Sequence, residues 1–124
     1  MIKLFEQYKD YDQVKSWLDE MGILTYTIND DLTVDVDNNL IIRSIGITEI
    51  PVQFWKVDGM FDCSGNNLTS LKGSPVKVNW AVDCSNNKLT SLEYSPKYVD
   101  GTFTCVYNEI SSLIGSPEYV SGNF

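Results

Sequence analysis

From Val57 onward, apolar and polar positions recur in blocks 21 residues long. Val57, Val78, Val99 and Val120 mark one apolar position of the period, and Phe61, Val82, Phe103 and Phe124 another. Cys63, Cys84 and Cys105 follow two residues after the first three of these, so Phe61-x-Cys63 and its copies alternate as short strands with both named side chains inward. Leu68, Leu89 and Ile110, then Leu71, Leu92 and Leu113, turn the chain inward again, and Pro75, Pro96 and Pro117 stiffen the return to the next valine. A unit of this size cannot bury its own apolar face. Regular self-similarity therefore predicts stacked units sharing one dry interior, a short solenoid.

Upstream of the clear repeats the pattern changes twice. Leu4, Phe5 and Tyr8 fall on one helical face, and after a break near Asp10 come Val14, Trp17, Leu18 and Met21 at i, i+3, i+4 and i+7. Asp10 with Gln13 three residues on resembles a capping box, and Gly22 is the natural stop. Leu24–Ile28 and Leu32–Val36 then alternate around Asn29-Asp30-Asp31, which predicts a β-hairpin. Helix and hairpin together would cover the first coil, over residues 1–36. Residues 37–124 would form the solenoid: one degenerate coil, three clear coils and the start of a fifth. In the degenerate coil Val36, Leu40, Ile42, Ile47 and Ile50 stand 21 residues before Val57, Phe61, Cys63, Leu68 and Leu71, but Ile45 replaces the asparagine.

That asparagine, at Asn66, Asn87 and Asn108, ends each short strand. Its amide both donates and accepts, so a stack of them would serve turn backbone groups that neighbouring strands do not reach. The surrounding block Asn66-x-Leu68-x-x-Leu71, with its two copies, resembles leucine-rich repeats, in particular the short bacterial form of about 20–22 residues. More narrowly, Phe61-Asp62-Cys63-Ser64-Gly65-Asn66-Asn67-Leu68-Thr69-Ser70-Leu71 and the copy beginning at Val82 are similar to leucine-rich-repeat proteins of bacteriophages and prophages. The leader from Tyr26 to Val36 is similar to the entry segment of that group. The resemblance implies an α/β solenoid, a short leucine-rich-repeat stack with a parallel β-sheet capped by the helix and hairpin. For activity it implies an interaction scaffold and, with the small size and acidity, an inhibitor of a host defence protein such as an anti-CRISPR.

Chemistry adds little on its own. The chain has no histidine, which excludes Ser–His and Cys–His nucleophile pairs, and no Gly-rich phosphate loop. Three stacked thiols would form a line and not a tetrahedron, so no metal or other cofactor is expected and all three cysteines are read as inert core thiols. Asp62 and Asp83 occupy equivalent positions and are read as a solvated strand face. The chain is expected to be a non-enzyme.

The net charge of −8 is uneven: nine acids against three lysines leave −6 in residues 1–39 and −2 in the remainder. An acidic chain repels phosphates, which argues against direct nucleic-acid binding and for a partner with a basic surface. Acidic mimicry of nucleic acid, competing for a basic groove, is the alternative. The odd cysteine count and an N-terminus without a long apolar core predict a reducing, cytoplasmic setting in the host cell, and no run is long enough for a membrane span.

Binding residues are sought where the repeat is broken. Trp80 stands where other coils have Gly59, Gly101 and Gly122; Tyr94 replaces Gly73 and Gly115; Tyr107 replaces Gly65 and Asn86; Trp55 marks the return of the first coil. Large aromatics at undemanding positions are candidate anchors. With Met60, Asp62, Asp83 and Thr104 from the outward strand positions they make up the expected protein-binding surface. Phe103, Ile110, Leu113 and Phe124 are expected near an uncovered end, through which the protein would dimerise or, in a third reading, act as a structural or assembly module.

Overall fold

The computed structural model describes residues 7–124 and shows a stack of short coils behind one helix. Leu4 and Phe5 of the predicted first apolar face lie outside the described residues. The helix α1 runs Tyr11–Glu20 and opens as its sequence dictates, with the Asp10 carboxylate accepting from the Gln13 amide at 2.8 Å. It closes at Gly22, whose φ of 77° lets its amide reach the Asp19 carbonyl while the Ile23 amide returns to Leu18. Val14, Trp17 and Leu18 are buried, and Trp17 meets Phe54 with ring centroids 6.3 Å apart. The apolar stripe thus packs onto the first coil.

The hairpin strands β1 (Tyr26–Ile28) and β2 (Val34–Val36) pair antiparallel. From β2 onward every pairing is parallel. The chain then alternates between two sheets: β3 (Leu40–Ile41), β5 (Phe61–Asp62), β7 (Val82–Asp83) and β9 (Phe103–Thr104) in one, and β4 (Phe54–Val57), β6 (Lys77–Val78), β8 (Tyr98–Val99) and β10 (Tyr119–Val120) in the other. The hairpin joins the second sheet, giving the order β1-β2-β4-β6-β8-β10. This is a β-solenoid of about four turns with parallel sheets and one N-terminal helix.

The valine ladder is in register, Val36–Val57–Val78–Val99–Val120, and so is Leu40–Phe61–Val82–Phe103. These two ladders face each other across the interior with Ile42, Cys63, Cys84, Leu68, Leu71, Leu89 and Leu92, all essentially inaccessible to water except the partly buried Val120. One expectation needs revision. The single parallel sheet that the resemblance implies is joined by a second, because the segment returning to each valine also pairs as a strand, with the preceding residue outward and the valine inward.

The asparagine ladder explains why the first coil manages without its own. Asn87 Nδ2 donates to the carbonyls of Cys84 and Ser85 in its own coil and of Cys63 in the coil before, at 3.0–3.2 Å, while its Oδ1 accepts from the Leu68 amide. Asn66 does the same for Ile42, and accepts from Ile45 and Ile47. Each asparagine serves the preceding coil, so the coil carrying Ile45 is satisfied from Asn66.

Candidate functional site

The outer face of the six-stranded sheet follows directly from the period of two along each strand. With the valines inward, the outward ladder is Asp35, Lys56, Lys77, Tyr98 and Tyr119. Next to it Trp55, 51% exposed, leaves β4, and Tyr94, 60% exposed, sits on the turn leading into β8. Trp55 and Tyr94 line one groove of about 440 Å³ together with Pro75, Val76, Lys97 and Glu118. A shallower hollow beside it is walled by Lys77, Asn79, Tyr98, Asp100 and Tyr119. Glu118 ties the two together: its carboxylate hydrogen-bonds to Tyr98, raising that phenol above its ordinary value, and stands 3.9 Å from Lys97.

The backbone at Tyr94 and Tyr107 is as informative as the side chains. Their φ values are 66° and 55°, in the left-handed region. The repeat-equivalent positions Gly73 and Gly115 have φ of 96° and 85°, and Gly65 and Asn86 have 69° and 57°. A bulky residue held there costs about 1–2 kcal/mol. Neighbouring coils place glycine at the Tyr94 corner and Ser44, Gly65 and Asn86 at the Tyr107 corner, and the sequence supplies tyrosine at both.

The predicted binding residues do not share one face. Trp55 and Tyr94 belong to the groove just described. Trp80 is 66% exposed at the corner between β6 and β7, and Tyr107 is 79% exposed at the corner after β9. Met60, Asp83 and Thr104 are half-buried on or beside the four-stranded sheet.

Asp62 contradicts its expected solvated orientation: it is 2% exposed. The reason is local. Its Oδ1 accepts from the Ser64 amide at 2.9 Å and hydroxyl at 2.6 Å, and its Oδ2 lies 3.4 Å from the Arg43 guanidinium. Asp83 likewise accepts from the Ser85 amide at 2.9 Å. Each carboxylate is turned into its own strand end, so the pair is held by separate backbone turns. Among the described residues, no group of three or more Cys, Asp or Glu side chains is placed to hold a metal ion.

At the far end, Phe103 is buried, and Phe124 stacks on it at 5.2 Å with rings 14° apart. Ile110 is partly buried against the core, whereas Leu113 and Ile114 are 65% and 66% exposed. The expected grouping of Phe103 with the uncovered residues is therefore corrected; Phe124 is its cover.

Sequence reading missed Lys56, Lys77, Lys97, Tyr98 and Tyr119. The signal was present. Once the valine ladder is assigned inward, strand alternation assigns the preceding residues Lys56, Lys77, Tyr98 and Tyr119 to the outer face, whereas Lys97, two residues before Val99, is not assigned by it.

The fold and surface define a small β-solenoid carrying an aromatic and lysine-rich sheet face. No family model, curated protein or solved structure matches the chain. Among the described residues no helix is long and apolar enough to cross a membrane.

Proposed function

We propose that the protein is a non-catalytic protein-binding module whose recognition surface is the outer face of the six-stranded sheet. One observation carries this reading: four exposed aromatics, Trp55, Tyr94, Tyr98 and Tyr119, stand among Lys56, Lys77 and Lys97 on one side of a rigid stack. Aromatic side chains lose little conformational entropy on contact and dominate binding energy where water is excluded. The strain accepted at Tyr94 supports the same reading, because the stack itself is served by glycine at that corner. With the resemblance to phage-type leucine-rich repeats, the narrower form of the proposal is an inhibitor that blocks a surface of a host protein, in particular one of a defence system. The lysine ladder on this face weighs against mimicry of nucleic acid. Acids adjoin this face at its hairpin end, where Asp30, Asp31 and Asp35 share a hollow with Trp55.

The test is capture from a bacterial lysate by the immobilised full chain, comparing wild type with Trp55→Ala, Tyr98→Ala and Asp83→Asn. The sheet-face variants are expected to lower retention of the captured protein at least about tenfold, with Asp83→Asn unchanged. Equal retention by all four, or loss only with Asp83→Asn, would move the surface elsewhere. Retention that collapses with modest salt while ignoring both aromatic changes would favour the acidic-mimic alternative.

A second reading has its own observation. Leu113 and Ile114 are exposed side by side on the last coil, which favours self-association through that end. Sedimentation at rising concentration distinguishes it: a dimer abolished by Leu113→Asp supports it, and a monomer throughout removes it.

A further inference from the structure

The three cysteines share one position of the repeat but not one environment. Cys63 and Cys84 are buried, whereas Cys105 is only partly so. Burial pushes the Cys63 thiol up, as expected of an inert core group. Cys84 is also raised, chiefly by its hydrogen bond with Cys105. Cys105, only partly buried, goes the other way, lowered by its coupling to the neighbouring Cys84 thiol. The Cys84 S–H itself donates to the Thr104 carbonyl at 3.4 Å. The expectation of three buried thiols therefore holds at Cys63 and Cys84, while Cys105 is only partly covered.

Register supplies the geometry. Phe103 and Thr104 pair with Val82 and Asp83, so the two cysteines that follow are direct neighbours on adjacent parallel strands, about 4.8 Å apart along the stack. That separation lies within the range of roughly 4.4–6.8 Å between Cα atoms that a disulfide spans. It is somewhat wide for the Cβ atoms, whose usual separation is about 3.8 Å. A bridge here would be slightly strained and exposed on one side, the combination that makes disulfides labile rather than structural.

We infer that Cys105 is a modification site for hydroperoxides, and that Cys84 is the thiol that resolves its sulfenic acid into an intrachain disulfide. With a hydroperoxide, the Cys105 thiolate attacks the terminal peroxide oxygen and the O–O bond breaks. The other oxygen leaves as an alkoxide or hydroxide and takes a proton from water. The Cys84 sulfur then attacks the resulting sulfenic acid; the S–O bond breaks, the S–S bond forms, and the departing hydroxide leaves as water with the Cys84 proton. Two electrons from the two thiols reduce one peroxide. Cys63, sealed one coil further in, takes no part.

The test uses dithiobis(nitrobenzoate) on the native full chain. Cys105 displaces one thionitrobenzoate and is left as a mixed disulfide; attack by Cys84 releases a second. The expected result is two equivalents released in the native state, one fast and one slower, with the third appearing only in denaturant. Cys84→Ser should release one equivalent and keep the adduct, and Cys105→Ser none. Release of all three at one rate, release of none, or a stable single adduct on the wild-type chain would overturn the inference. Brief alkylation of the wild type followed by peptide mapping gives a readout independent of variant folding: Cys105 must be labelled before Cys84, and the reverse order would overturn it.

Discussion

The central coil and the last coil carry nearly the same sequence and meet different fates. Leu71 and Leu92 are sealed, yet Leu113, at the same position of the repeat, is 65% exposed. Cys84 is buried and Cys105 half-open. Asn87 is buried among its hydrogen bonds, and Asn108 makes the equivalent ones to Cys84, Cys105 and Val106 at 3.0–3.3 Å in a more open setting. Identical letters therefore do not have identical energies. Burial belongs to the sandwich of one coil between two others, and a coil with a neighbour on one side obtains only part of it.

The sharpest way to break this comparison is a matched pair of truncations. Leu71→Ala should destabilise by about 2–5 kcal/mol, since it opens a cavity between coils that cannot collapse freely. Leu113→Ala should cost no more than about 0.5 kcal/mol. Denaturant midpoints would show it, and similar losses at both sites would mean that the last coil is as well packed as the middle.

A smaller difference is expected in the asparagine ladder. Asn87→Ala leaves the Leu68 amide and the Cys63 carbonyl without side-chain partners in a closed environment, for a cost of about 3 kcal/mol. Asn108→Ala, where water can enter, should cost about 1 kcal/mol. Amide hydrogen exchange at Leu68 and Leu89 in the two variants would sharpen the reading, with Leu68 losing the greater protection.

Smaller again is the effect of the Phe103–Phe124 stack. Phe124→Ala should lower stability by about 1 kcal/mol, the scale of an aromatic pair with one ring exposed. A loss as large as that of Leu71→Ala would make the stack a true core element.

How much of this was legible beforehand depends on which force decides each feature. The interior was readable at nearly every position because stacking forces equivalent side chains over one another; Val57, Phe61, Leu68 and Leu71 needed only the period. The helix ends were readable because Asp10 and Gly22 supply their own capping chemistry. The outer sheet was harder. Its lysines and tyrosines have no packing constraint, and they became visible only once the return segment proved to be a strand. Asp62 was misjudged because alternation predicts the direction of a side chain, and not the serine and arginine that fold over it. Cys105 escaped for a related reason: it matches Cys84 in the repeat, and its partial burial is what separates them.

Tyr94 joins the two halves of the argument, since it breaks the repeat at a left-handed corner and lines the proposed binding groove. If the stack does not need that tyrosine, Tyr94→Gly should unfold at the same denaturant concentration as the wild type or above it, by up to about 1 kcal/mol from relieved backbone strain. A loss of about 2 kcal/mol or more would show that the side chain holds the coils together, and would contradict its assignment to recognition.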